Sequence, residues 1–386
     1  MDPEPMKFPS TTLLLTSSLI FCAPLFAADH LDHKKATAQS LKIALGKLIF
    51  DDKDLSQPQG QSCSSCHQAS AGYSDPKQVV SPGAIATLFG NRNAPSIAYA
   101  KFNPELYWDK EEAHWVGGFF YDGRAKTLQQ QADKPFTNPL EMGNPSNAAL
   151  IAKVKQAPYA QTLSQLYGDT IWDNETTAIN AITDAIVAYE NGPEFAPFSA
   201  KYDQYLNGKV TLTELEKHGL ELFEAEDKGN CAACHPSQPG ENNAPPLFTD
   251  FTYDNLGLSK NLELPFLKMS AKHNPAGKAY VDMGLAANPH INDGQQQQGK
   301  FKVPTLRNIA KSAPYMHNGI FTTLEEVVDF YNTRDVKDSW GKPDVNENVN
   351  TDELGDLKLS EDEVKALVAF METLSDNFIP SNRQTA

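Results

Sequence analysis

The hydrophobic positions of this chain recur mostly at helical spacing. Leu324, Val327, Val328 and Tyr331 fall at i, i+3, i+4 and i+7, which predicts a helix whose apolar stripe ends in a phenol. Val364, Leu367, Val368, Met371 and Leu374 form a second stripe, opened by the capping box Ser360-x-x-Glu363. Two further amphipathic runs carry Gly and Phe four residues apart, Leu45-Gly46-Lys-Leu-Ile-Phe50 and His218-Gly219-Leu-Glu-Leu-Phe223. The pattern predicts an all-α fold, and the paired runs predict a duplication. One helical pattern stops at Asn191-Gly-Pro and another starts at Thr213-Glu-Leu-Glu, so a boundary is expected near 195–212.

Composition and charge change this picture in three ways. A chain of 386 residues is long for one core, so two domains are expected, 28–205 and 206–386. The run from Thr11 to Ala27 is apolar, ends in small residues, and is shorter than the roughly 20 apolar residues of a membrane span. It reads as a signal peptide over residues 1–27, which predicts export to the periplasm and no membrane span. Met6-Lys7 makes a better start than the acidic Met1-Asp-Pro-Glu. Cleavage after Ala27 removes Asp2, Glu4 and Lys7, a net −1, so −16 becomes −15. An acidic chain of this kind excludes nucleic acid held by basic patches.

The cysteines carry the chemistry. Cys22 lies in the segment that export removes, and the remaining four stand in Cys63-Ser-Ser-Cys66-His67 and Cys231-Ala-Ala-Cys234-His235. Cys-x-x-Cys-His is the attachment signal for haem c, with two thiols for the porphyrin vinyls and a histidine for the iron. A single copy also reads as a redox pair or half a zinc site. Two copies that consume every cysteine of an exported chain point to two haem c groups. His67 and His235 are then the iron ligands, in two cytochrome c-like domains. Between Gln68 and Ala113 there is neither His nor Met, so nothing local fills the sixth position of the first iron.

Beyond that run the chain resembles the bacterial di-haem cytochrome c peroxidases and their relative MauG. The resemblance extends from Leu45 to about Leu374. It is carried by both haem motifs, Asn91-Arg92-Asn93-Ala94-Pro95-Ser96, Tyr121-Asp-Gly-Arg124, Glu141-Met-Gly143, Lys302-Val-Pro-Thr-Leu-Arg307-Asn and Ala313-Pro-Tyr-Met-His317-Asn-Gly. It implies that the first haem is the site of hydrogen peroxide reduction, through a high-valent iron state. Glu141 then corresponds to the acid that moves a proton from the near peroxide oxygen to the leaving one, worth about 10²–10⁴-fold in rate. Gln131 corresponds to a glutamine of the same pocket. The resemblance also implies a calcium between the haems, held by Asn93 and the carbonyls of Ser312 and Pro314, and places Arg307 near the haem propionates. Electrons would enter through the second haem from a small cytochrome c or cupredoxin, or from a dedicated protein substrate.

Departures from the peroxidase branch tilt the expectation toward MauG. That branch has a histidine on the distal side of the first haem at rest, and this chain has none there. Its second haem takes a distal methionine fourteen residues after the Pro-Tyr-x-His histidine. Counting from His317 reaches Tyr331. A phenolate favours ferric iron where a thioether favours ferrous. Met269, Met283 and Met316 are the competing ligands. Tyr121 stands where most relatives have an inter-haem tryptophan, and Gly229 stands where MauG has a surface tryptophan. Trp108 and Trp115, in an insertion before Tyr121, are expected to pack in the core. The competing reading is a di-haem electron-transfer cytochrome c without peroxidase activity.

Overall fold

The computed structural model describes residues 25–379, and side chains from residue 37 onward except Glu241. The expected signal segment, 1–27, lies outside the described residues save for its last three. Two compact units are present, 1–41 and 42–386. The described part of the first, 25–41, is helical.

Ten α-helices are present among the described residues: α1 (Leu25–Asp51), α2 (Cys63–Cys66), α3 (Leu128–Thr137), α4 (Asn147–Val154), α5 (Ala160–Tyr167), α6 (Glu175–Glu190), α7 (Lys201–Leu206), α8 (Glu214–Glu224), α9 (Leu324–Thr333) and α10 (Glu361–Glu372). The regular structure among the described residues is mostly helical, as the spacing predicts, but not purely so. An antiparallel ribbon pairs β1 (Tyr107–Asp109) with β2 (His114–Val116), and another pairs β3 (Tyr253–Asp254) with β4 (Phe301–Lys302). Strands of two or three residues are too short for alternation to register in a sequence. No helix among the described residues is long and apolar enough to cross a membrane.

Local signals set the helix ends. Thr323 and Glu326 close a capping box at the start of α9, and Ser360 and Glu363 close the expected one at α10. Each satisfies two backbone groups that a helix end otherwise leaves unpaired.

The duplication is visible as two equivalent helix crossings. A Cβ on Gly46 of α1 would overlap the Ala185 carbonyl of α6 and come within 2.8 Å of Tyr189 Cβ. A Cβ on Gly219 of α8 would overlap the Ala366 carbonyl of α10 and come within 2.8 Å of Phe370 Cβ. Only glycine permits so close an approach. The phenylalanine one turn on completes each crossing edge to face, Phe50 with Tyr189 at 5.3 Å and Phe223 with Phe370 at 5.1 Å. One hydrophobic cluster surrounds the first crossing, including Leu45, Phe136, Leu150 and Ile182. A second surrounds the other, including Phe248, Phe330 and Leu367. Tyr202 of α7 packs in the second cluster, against Phe248 and Phe370. The expected division at 205/206 thus falls inside α7, a helix that belongs with the second core.

Candidate functional site

One cavity of about 480 Å³ runs between the two halves and takes in both Cys-x-x-Cys-His motifs. None of the four motif cysteines, Cys63, Cys66, Cys231 and Cys234, is tied up in a disulfide. The two histidines sit alike. His67 Nδ1 lies 3.0 Å from the Tyr73 carbonyl and His235 Nδ1 lies 2.8 Å from the Phe248 carbonyl. A carbonyl can only accept, so each Nδ1 carries the proton and each Nε2 keeps its lone pair. Burial holds both imidazoles below the ordinary histidine range, which favours the neutral, ligating form. The four thiols and two unprotonated ring nitrogens fit two haem c groups.

On the first side, the Tyr73 ring stacks on Phe195 at 4.1 Å and does not line the cavity. α3 brings Gln131 to the cavity wall, and the turn after it brings Glu141. Thr127 caps α3, and Asn138 closes the turn by accepting from Leu140 N at 3.0 Å through its side chain and from Glu141 N at 3.0 Å through its carbonyl. Ala84 N donates to the Glu141 carbonyl at 2.7 Å, which pins the residue from outside. Burial pushes the Glu141 carboxyl above its usual range, and Arg124 and Asn138 oppose that only in part.

On the second side, α9 delivers Tyr331 to the cavity wall near Cys231 and Cys234. The residue is half-buried, and its hydroxyl makes no hydrogen bond among the described residues. Burial drives its pKa well above the ordinary tyrosine value. Met316 also lines the cavity, whereas Met269 and Met283 do not.

Between the two sides the motifs converge. Arg92 donates from Nε and Nη2 to Asp282, both at 2.7 Å, and from Nη1 to Asp122 at 2.7 Å. Tyr121 lines the cavity beside this cluster, its phenol driven upward by burial. Lys302 N donates to the Tyr121 carbonyl at 2.8 Å, and burial pushes the Lys302 amine down to about 7. His317 stacks on Phe301 at 3.6 Å, and burial pushes it down to about 4. Asn93 N donates to the His317 carbonyl at 2.8 Å, and Asn93 Nδ2 donates to the Val79 carbonyl at 3.0 Å. That leaves Oδ1 of Asn93 as an acceptor in the same cavity wall as Ser312 and Pro314.

The expectation that Trp108 and Trp115 pack in the core is corrected, and Arg307 proves to be paired inside the fold. Arg307 is not part of the cavity wall. It is fully buried and donates to Asp203 from Nη1 and Nη2, both at 2.8 Å, and from Nε to the Pro246 carbonyl at 2.8 Å. Its guanidinium is thus committed to a structural ion pair among Tyr99, Phe198 and Phe248. Trp108 and Trp115 are not in a core either. They face each other across the β1–β2 ribbon with ring centroids 5.5 Å apart, and Trp108 is 36% exposed.

Sequence reasoning missed Arg92 as the hub of the central cluster, and missed Glu190. The latter lines the cavity from the end of α6, 4% exposed, with one carboxylate oxygen unpartnered. The signal was present as an acid closing the apolar run of α6.

Comparison with known proteins bears on this site as a whole. The family model described as di-haem cytochrome c peroxidase matches residues 40–211. The methylamine utilization protein MauG of Paracoccus denitrificans is 37% identical over 351 residues, 86% of this chain and 88% of that protein. The cytochrome c551 peroxidase of Nitrosomonas europaea is 28% identical, over 89% of this chain and 82% of its own. Among solved structures, the diheme peroxidase BthA of Burkholderia thailandensis superposes with a TM-score of 0.78 at 32% identity, covering 89% of each chain. With both attachment motifs opening on one cavity and relatives this similar along nearly the whole chain, the protein belongs to the di-haem cytochrome c peroxidase and MauG family, peroxide-acting oxidoreductases.

Proposed function

We propose that this protein is a periplasmic, MauG-like di-haem peroxidase that meets hydrogen peroxide at an open first haem and oxidises a partner protein. The first haem would be held by Cys63 and Cys66 with His67 on its iron, the second by Cys231 and Cys234 with His235 and Tyr331. Haem c would supply the iron, which takes up the two oxidising equivalents of hydrogen peroxide. What the chain adds is placement and proton control. Glu141 carries a proton between the two peroxide oxygens, and its burial supports this, because a carboxyl raised above its usual range is a better acid near neutral pH. Gln131 lines the same pocket and orients the substrate. Tyr121 stands between the two sides as the residue through which they share charge.

The observation that carries the reading is Tyr331, a half-buried phenol in the cavity wall whose hydroxyl makes no hydrogen bond among the described residues. A hard, anionic oxygen donor suits an iron that stores oxidising power rather than one that delivers an electron. Calcium is proposed at Asn93 Oδ1 with the carbonyls of Ser312 and Pro314, hard oxygen donors that share one wall. The donor is a small cytochrome c, a cupredoxin or a dedicated protein substrate. MauG's own route is not carried over, since a Cβ at Gly229 would overlap the Leu222 carbonyl and no side chain fits there without a backbone shift.

The test is to add one equivalent of hydrogen peroxide to the fully oxidised protein and follow the optical spectrum. An immediate change without prior reduction is expected. A reaction that starts only after one electron is supplied, or no reaction at all, overturns the reading.

A further inference from the structure

Glu190 is the last residue of α6, and its position is doubly unfavourable. Burial penalises its charge and one carboxylate oxygen has no partner. A carboxylate at a helix C-terminus also meets the negative end of the macrodipole.

The molecule contains its own control for this residue. In the equivalent helix crossings Ala185 corresponds to Ala366 and Tyr189 to Phe370. Continuing along each helix, Ile186 corresponds to Leu367 and Glu190 to Met371. All four of these last residues line the cavity. The second half therefore places a thioether where the first half places a carboxyl, and the crossing forms equally well. The acid is not a requirement of the fold. It belongs to the side that also holds Glu141 and Gln131.

The surroundings leave Glu190 uncompensated. Its charge is felt at Cys63, which faces it from α2. Lys47 and Asp51 on α1 pair with each other, Lys47 also reaches the Tyr189 hydroxyl, and Tyr73 and Glu194 lie beside Tyr189 and Lys47. α3 turns the uncharged Gln131 and Ala132 to the cavity. None of these holds the carboxyl down, and burial alone raises it to about 8. His67 is influenced by Asp75 and not by Glu190.

We infer that Glu190 is a proton-exchange site tied to the redox state of the first haem, taking up one proton when that haem gains an electron and releasing it when the electron leaves. The inference rests on the placement of that haem at Cys63–His67. Ferric iron in a porphyrin dianion carries net positive charge, which favours the Glu190 carboxylate across a poorly screened cavity. One-electron reduction by the protein donor removes that charge, and burial then favours the acid. The step puts one electron from the protein donor on the haem and one proton from a solvent hydronium ion on Glu190; the O–H bond formed on the carboxylate replaces the one broken in the hydronium ion, and no bond of the chain breaks.

The experiment is spectroelectrochemical titration of both haems between pH 5.5 and 8.5 in the haem-loaded wild type, Glu190→Met and Glu190→Gln. Met is the residue the second half already carries, so the variant should fold. In the wild type the first-haem couple should shift toward tenfold per pH unit, about 59 mV for one electron. Both variants should lose more than half of that slope, while the second haem keeps its own. An unchanged slope in both variants overturns the inference, and so does an equal loss at both haems. Haem missing from Cys63 and Cys66 by mass spectrometry overturns the placement, and the inference with it.

Discussion

Replacing Arg307 by methionine separates a role at the haem from a role in the fold. The side chains of Arg307 and Asp203 are 1% and 3% exposed and meet through two hydrogen bonds of 2.8 Å. Methionine keeps most of the volume but leaves the Asp203 carboxylate buried, with the Ala200 N–H at 2.9 Å as its remaining side-chain partner. Removing one member of a buried pair costs about 3–5 kcal/mol. Loss of the guanidinium from among three aromatic rings adds about 0.5–2 kcal/mol. Against a total stability of about 5–15 kcal/mol this is a large fraction. The assay is urea denaturation of the haem-loaded protein, followed by far-UV circular dichroism and tryptophan fluorescence. We expect a loss of about 3 kcal/mol or more, with more than half recovered when Asp203→Asn removes the stranded charge. The haem spectra of the folded variant should stay unchanged. A loss under about 1 kcal/mol together with a shifted haem spectrum would refute the reasoning and return Arg307 to the haem.

Further outcomes follow from the same geometry. Glu141→Gln keeps the shape of the side chain but cannot shuttle a proton, so the rate constant for the peroxide reaction should fall about 10²–10⁴-fold; stopped-flow spectroscopy at an unchanged rate would remove that role. Tyr331→Met should raise the potential of the second haem and make it readily reducible, and an identical spectrum and potential would show that Tyr331 does not reach the iron. His317 is held neutral in the fold at about 4 against 6.5 in the unfolded chain. Its stabilising contribution is therefore complete above pH 6.5, is lost as pH falls toward 4, and amounts to about 3 kcal/mol. His317→Phe, which keeps the stacking on Phe301, should flatten the acid limb of a stability–pH curve, and an equally steep limb would contradict the assignment.

The parts of this molecule that could be read from its sequence are those encoded locally. Cys-x-x-Cys-His is five consecutive residues, and α9 and α10 announce themselves through period and capping box. Even the crossing glycines 46 and 219 were visible as a repeated lead-in. Tyr331 was reachable because its place is a fixed count from His317 along one continuous segment. What escaped depends on contacts between distant segments. Arg92 looks like any loop arginine until Asp282, 190 positions away, takes its fork. The pairing of Arg307 with Asp203 escaped because a motif does not show which acceptor waits for its arginine. Trp108 and Trp115 were placed in a core on hydrophobicity alone, although a short surface ribbon offers each tryptophan the other as cover. Glu190 became informative only once the two halves could be aligned through their crossings, which set it against Met371.

In the proposed resting protein the first haem is open and the second is held by two protein ligands, His235 and Tyr331. Low-temperature EPR of the resting, fully oxidised protein tests it most directly. One high-spin and one low-spin ferric haem in equal amounts are expected. Two low-spin haems, with no high-spin signal, would contradict it and leave an electron carrier in place of a peroxidase.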